Sequence, residues 1–330
     1  MTTAHLTNRC GAEQKASGRY QRLSVCKMPR AQKPLSALLA VFCVFALVAC
    51  TTSHTAATAA IDSASYLPNR IDWQPICNGA DYAVYISRSF PVRYHCVRLD
   101  LTVQGLTVTA FPATESDFKR RDGRRTPLFV GKRTGAFARQ SGATIAINTS
   151  PFAGSTGAWD LHAHLTRTRQ IVGTHLIAGN ELATPNSRYC ALVLTRDEQG
   201  FRARIIDNQS TEALDDADYA FGGFWTVLRA GEVLPFAVET HDSRTACGIS
   251  DDGRTLYLLA VEGEHQRSSR GLSFPECAEV LQRLGANDAM QFDGGGSTAL
   301  YINGKNMLSY PCLRINAASV GFVITTAHFR

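Results

Sequence analysis

The sequence predicts an α+β fold, and three observations carry that prediction. Val97, Leu99, Leu101 and Val103 alternate with Arg98, Asp100 and Thr102, the period-two pattern of a half-buried strand, and similar short runs recur toward the C-terminus. Two stretches carry helix signals instead, Arg133 to Gly142 and Ser273 to Gly285. Between two further strands lies Asp293-Gly294-Gly295-Gly296-Ser297, three consecutive glycines behind a carboxylate. Glycines in series weaken packing and cost backbone entropy, so such a loop is expected where the main chain must approach a ligand.

Composition bounds the function classes. At 330 residues, with 45% apolar and 19% charged residues, the chain has the make-up of a globular protein. Its net charge of +6 is unevenly placed. Residues 1–50 hold seven of the 34 basic residues and one of the 28 acidic ones, which leaves 27 of each in the remainder. A neutral remainder offers no reason for a polyanionic partner, so no nucleic acid is expected.

The first 50 residues read as a targeting segment. Arg30 and Lys33 precede the apolar run Leu35 to Ala49, and Leu47-Val48-Ala49-Cys50 resembles a bacterial lipoprotein signal in which the cysteine is lipidated. The run is short for a spanning helix, and an uncleaved anchor is the lesser alternative. Residues 1–27 match no part of a signal, which makes Met28 the expected start. Small polar residues after Cys50 suggest a flexible tether over 51–69, with 70–330 as the folded domain. The expected location is the bacterial cell envelope, with the protein held to a membrane through Cys50. Six cysteines follow, none in a C-x-x-C pair, which argues against zinc; in an exported protein Cys77 and Cys96 are the expected bridge.

From Arg70 the expected strands are Tyr82–Ser87, Val92–Val103 and Leu106–Pro112, the last two joined as a hairpin through Gly105. The charged run Glu115–Arg125 reads as a solvated loop in preference to a cationic ligand patch. A helix over Arg133–Gly142 buries Phe137. The strand Thr144–Asn148 follows and ends in a polar run through Phe152, a place where α/β chains tend to set functional groups. Tyr189–Thr195, Ala203–Asp207 and Thr255–Glu262 are further strands. Ser273-Phe274-Pro275-Glu276 has capping-box spacing, with Cys277, Val280, Leu281 and Leu284 on one apolar face and Gly285 as a left-handed stop. Ala289–Phe292 then delivers Asp293. Thr298–Ile302 and Lys305–Leu308 form a hairpin about Asn303-Gly304, and Val320–Thr326 is the final strand.

Asp293 can serve as general acid or base, nucleophile or metal ligand, and the amides of Gly294, Gly295 and Gly296 can form an anion nest. An Asp capping a tight turn is the plainer reading, but a D-G-G-G-S loop exceeds what a turn requires. No Gly-Lys-Ser/Thr follows, which excludes a Walker loop. Arg244-Thr245 offers a guanidinium for a phosphate or carboxylate, although a lone Arg is more often a surface residue. Glu262, Glu264 and His265 close a strand with groups able to act as acid, base or ligand. Asp160, His162 and His164 share one strand face, a trio that alone does not demand a metal.

Taken in order, Phe221-Gly222-Gly223, Ser243-Arg244-Thr245-Ala246-Cys247-Gly248-Ile249, Leu256–Gly263, Gly271-Leu272-Ser273-Phe274-Pro275-Glu276, Asp293–Ser297 and Tyr301-Ile302-Asn303-Gly304 resemble the phosphodiester glycosidase family. The resemblance implies a single α+β domain with a mixed, largely antiparallel sheet packed by helices. It sets Asp293, Gly294, Gly295, Gly296 and Ser297 on the family's D-G-G-G-S loop and Arg244-Thr245 on its R-T-A-x-G motif. Glu262-Gly263 falls on an acidic residue and glycine, Gly271 on the glycine opening the next helix, and Asn148 on the I-N-G-x-F-F strand end. Thr149 stands where that motif has glycine, and Pro151-Phe152 reduces its paired aromatics, a change that reshapes the pocket.

The resulting expectation is an exported, lipid-anchored hydrolase acting on a glycosidic bond in a sugar phosphodiester or anionic envelope glycan. Asp293 and Glu262 divide the acid, base or nucleophile roles, and Arg244 with the glycine amides holds the anion. Asn148, Thr245, Gly271 and Ser297 complete the binding set. A divalent cation on Asp293 is a variant of this scheme. A non-catalytic glycan-binding or structural envelope lipoprotein on the same fold is the alternative.

Overall fold

The computed structural model describes residues 60–62, 65–121, 124–154, 168–236, 240–263, 265, 267–310 and 315–325. Among them the chain forms four sheets. The largest has nine strands, in the order Ala60–Asp62, Ala80–Ser87, Val92–Asp100, Thr255–Glu262, Arg244–Ile249, Asp288–Gln291, Thr226–Arg229 and Glu232–Val233, with Gln74–Cys77 beside Ala80–Ser87. A five-stranded sheet runs Lys305–Asn306, Leu300–Ile302, Ile145–Asn148, Ser319–Ile324, Leu106–Phe111. A second five-stranded sheet runs Asn180–Ala183, His175–Ile177, Tyr219–Gly222, Ala191–Asp197, Gly200–Ile206, and a four-stranded one lies between Phe118–Arg121 and Phe152–Gly154.

The single helix-packed sheet expected from the sequence is corrected in two respects. The strands divide among several sheets, with one parallel pairing, between Ala60–Asp62 and Ala80–Ser87. Strand also dominates: the described residues hold two α-helices, Thr134–Ser141 and Phe274–Leu284.

Side-chain alternation assigns the two faces of the nine-stranded sheet to different cores. Val97, Leu99, Leu256, Leu258 and Cys247 face inward with Ile145, Ile147 and Phe322 of the five-stranded sheet. Tyr94, Cys96, Leu259, Val261 and Ala246 point the other way, onto Cys277, Val280 and Leu281 of the second helix. Burying Val280 and Leu281 stabilises by about 1.5–3 kcal/mol each. That helix starts with a reciprocal capping box: Glu276 N donates to Ser273 Oγ, and Ser273 N donates to Glu276 Oε2 at 2.7 Å. It stops at Gly285, whose φ of 111° suits a residue without Cβ.

Four further expectations change. Gly105 does turn the chain, at φ 82°, yet Val92–Asp100 and Leu106–Phe111 form no hairpin. The turn passes the chain from one sheet to another, where Leu106–Phe111 pairs with Ser319–Ile324. The charged run becomes a short 3-10 turn at Glu115–Asp117 and the strand Phe118–Arg121, because Phe118 is buried opposite Phe129. Cys77 and Cys96 are both free, since Cys77 packs on one core and Cys96 in the other. Within the span expected as a tether, Tyr66 and Leu67 pack against the helix-side core, and Tyr94 Oη donates to Tyr66 O at 2.8 Å. Cys50, Cys312 and the trio Asp160, His162 and His164 lie outside the described residues. Among the described residues no helix is long and apolar enough to cross a membrane.

Candidate active site at the sheet end

Register places the expected site residues together. Arg244 pairs with Val261, next to Glu262, and Ala246 pairs with Gln291, two residues before Asp293. Arg244, Glu262 and Asp293 therefore sit at one end of the nine-stranded sheet. The five-stranded sheet brings Asn148 to the same place, and Asn148 ties the parts together. Its Nδ2 donates to Asp293 O at 2.6 Å, while its Oδ1 accepts from Thr245 Oγ1 at 2.9 Å and from Ala299 N at 3.0 Å. Asn148 is buried and joins its own sheet to the larger one and to the loop, so it positions the loop.

The glycine loop is laced down through its main chain. Asp293 N donates to Thr149 O at 2.9 Å, and Gly295 N donates to Ser243 O at 2.7 Å. A Cβ on Gly294 would stand 2.8 Å from Ser243 O and 3.8 Å from Arg244 Cδ. Gly294 thus lets the loop lie against the Arg244 stem. Asp293 and the glycines are half-buried, in reach of solvent. Ser297 and Thr298 are buried with Oγ and Oγ1 unpaired, as are Thr149 Oγ1 and Ser150 Oγ on the facing strand end. Buried hydroxyls without protein partners are uncommon, and a cluster of them marks a polar interior around the loop.

Arg244 is fixed on the helix side. Its Nε donates to Leu272 O at 3.0 Å, its Nη2 to Thr240 O at 2.6 Å, and its guanidinium lies 4.3 Å over the Phe274 ring. Among the described residues it forms no ion pair, and these contacts hold its charge in place. Thr245, the next residue, points to the opposite face, as alternation requires.

Glu262 is built differently. It is 2% exposed and both oxygens are occupied. Oε1 accepts from Ser309 N at 2.7 Å and lies 2.9 Å from His95 Nε2; Oε2 accepts from Ser309 Oγ. Tyr82 Oη completes the row, 2.8 Å from His95 Nδ1. Burial pushes the Glu262 carboxyl up, but the hydrogen bonds from His95 and Ser309 outweigh it and leave the group below its ordinary value.

Gly271 and Gly263 serve close main-chain packing. A Cβ on Gly271 would meet Asp242 O at 2.1 Å, and one on Gly263 would meet Ser243 N at 2.3 Å. The segment they clamp carries a carboxylate that sequence reasoning passes over. Asp242 Oδ1 accepts from Ser243 N at 2.7 Å, and its Oδ2 lies 3.6 Å from where a Gly295 Cβ would be. Its position two residues before Arg244 is the available signal. A divalent cation at Asp293 requires several oxygen or nitrogen donors, and among the described residues no three His, Cys, Asp or Glu side chains converge. A separate open cleft of about 690 Å³, between Gln170–Gly173 and Leu182–Ser187, has no charged side chain among its described lining residues.

The phosphodiester glycosidase family model matches residues 141–325, the span that contains these loop and strand-end groups. The chain belongs to the phosphodiester glycosidase family. Solved structures share its fold at low identity. The catalytic domain of zebrafish N-acetylglucosamine-1-phosphodiester alpha-N-acetylglucosaminidase, auto-inhibited by its pro-peptide, is 17% identical with a TM-score of 0.53, covering 79% of this chain and 86% of that one. A hypothetical protein from Synechocystis is 13% identical with a TM-score of 0.56, covering 78% of this chain and 64% of its own length. A Burkholderia pseudomallei protein described as exported is 14% identical with a TM-score of 0.51, covering 70% and 74%. No curated protein sequence matches significantly. Family membership makes a glycosidase-type hydrolase the coarse reading of the site.

Proposed function

We propose that this phosphodiester glycosidase homologue is an exported, lipid-anchored hydrolase that cleaves a glycosidic bond to a phosphodiester or other anionic group of an envelope glycan. One observation carries the reading: Arg244, a fixed guanidinium with no carboxylate partner among the described residues, lies beside the main chain of Gly294, directly after Asp293. In this reading Arg244 and the loop amides hold the anion, and unpaired hydroxyls such as Ser297 receive sugar or phosphate oxygens. Asp293 supplies the reacting carboxylate. The second carboxylate of the pair is Asp242, which flanks Gly295, or Glu262, which must first release Ser309. The lipid anchor at Cys50 and the envelope location rest on the N-terminal signal alone.

A glycan-binding lipoprotein without turnover is the second reading, and the full engagement of Glu262 favours it. One assay separates the two: release of sugar from sugar phosphodiesters and from aryl glycosides. Hydrolysis that falls by about 10²–10⁴ in Asp293→Asn, with circular dichroism unchanged, supports the hydrolase. Sugar binding with no release by the wild-type protein overturns it.

A further inference from the structure

Trp225 is one of two large hydrophobic residues exposed among the described residues, at 43%, and it does not stand alone. Phe224 stacks beside it at 5.2 Å and 24°, and Tyr189 meets both rings edge-on. Phe274 lies 5.5 Å from Trp225, with Phe236 completing the group at 5.4 Å from Phe274. All four neighbours are themselves half-buried, so the cluster forms a rigid aromatic surface open to solvent. Exposed aromatic groups of this size mark ligand or partner sites more often than idle surface.

Its position selects the ligand. Phe274 is shared between Trp225 and Arg244, whose guanidinium covers the Phe274 ring at 4.3 Å. The sequence of contacts runs Trp225, Phe274, Arg244, Gly294, and so leads from open aromatic surface to the cationic end of the candidate active site. The main chain repeats the connection: Gln291 N donates to Trp225 O at 3.0 Å, two residues ahead of Asp293.

We infer that Trp225 is the floor of a sugar-binding subsite, stacking under a hexopyranose whose anionic group is held by Arg244. The chemistry fits the surface. One face of a pyranose is a patch of C–H groups with slight positive character, and the face of an indole ring is negative. Hydroxyls at the sugar's rim stay in water, so the half-open setting of Trp225 suits a sugar better than a wholly apolar ligand. A peptide or second copy of this chain would use the apolar rings but has no need of the adjacent cation. This inference rests on the reading of Arg244 as an anion site.

The test is titration calorimetry on the purified protein. The probes are the 1-phosphates of glucose, galactose, mannose and N-acetylglucosamine, the methyl glycosides of the same sugars, and glycerol 3-phosphate. At least one hexose 1-phosphate is expected to bind about tenfold or more tighter than glycerol 3-phosphate, a difference of about 1.4 kcal/mol. Trp225→Ala removes that advantage and leaves glycerol 3-phosphate unchanged, while Trp225→Phe keeps most of it. The inference is overturned if no hexose 1-phosphate outbinds glycerol 3-phosphate, or if Trp225→Ala binds as the wild type does. Failure of the hydrolase reading is distinguishable. Trp225-dependent sugar binding without turnover of any substrate leaves the subsite standing and removes the enzyme. Turnover with unaltered KM in Trp225→Ala does the reverse.

Discussion

Two carboxylates at the same end of one sheet have opposite surroundings. Glu262 is sealed in, with His95 and Ser309 on its oxygens. Asp293 is half-buried, on a loop whose main chain is bonded to Thr149, Asn148 and, through Gly295, Ser243. The first arrangement uses the charge to hold structure, fastening the residues after Asn306 to two strands. The second fastens a half-buried loop through its main chain. The difference between the two acids can be broken experimentally.

The largest effect is expected at Asp293. Asp293→Asn should lower hydrolysis by about 10³-fold, roughly 4 kcal/mol of barrier, and leave the melting temperature within a few degrees of wild type. Glu262→Ala is expected to do the converse and unfold first. Removing one member of a buried, charged, hydrogen-bonded group costs about 3–5 kcal/mol, read as a lower denaturant midpoint. Glu262→Gln keeps the shape and should recover much of that loss. A Glu262→Gln protein with wild-type stability but no turnover would instead assign Glu262 to the chemistry.

Acid sensitivity separates a third group. His175 is wholly buried against Pro112 O, and burial pulls its imidazole down to about 4 from 6.5. The folded state thus resists protonation that the unfolded chain accepts. Stability is complete above pH 6.5 and is lost as the pH falls toward 4, by about 3 kcal/mol in all. Glu262, also depressed, adds its loss only below the ordinary carboxylate range near 4.5. Chemical denaturation of His175→Gln between pH 7 and pH 5 should show a flatter dependence than wild type. The smallest effect belongs to Asn148→Ala, which deletes three hydrogen bonds that bind the loop to two sheets. About 1–3 kcal/mol of stability is expected to go, with a modest fall in kcat because Asp293 loses its fixed place.

Much of the frame is legible in the amino-acid sequence. The capping box at Ser273 and Glu276, the stop at Gly285, the Asn303-Gly304 turn and the strand Thr255–Glu262 are local signals, and the folded chain has each of them. Partner choice is not legible in this way. Gly105 announces a turn, but whether the next strand folds back or crosses to another sheet depends on Ser319–Ile324, more than 200 residues away. The strand pair after Glu115 is hidden because charges dominate the run Glu115–Arg125, in which Phe118 is the one large apolar residue. Within the site, residue type and setting are enough to pick out Asp293, Arg244 and Asn148. Asp242 escapes because its importance comes from lying against Gly295, a contact that no sequence spacing encodes.

The central place of Ile145–Asn148 in its sheet also governs when the site can exist. Its neighbours are Leu300–Ile302 and Ser319–Ile324, both made more than 150 residues later. During synthesis this strand must wait with its edges uncovered until nearly the whole chain has emerged, and closing so long a loop makes assembly slow. A chain cut short of Ser319 would lack a neighbour of the Asn148 strand and could not complete the Asp293 site. The Asp293 site is therefore complete only when the last strand arrives.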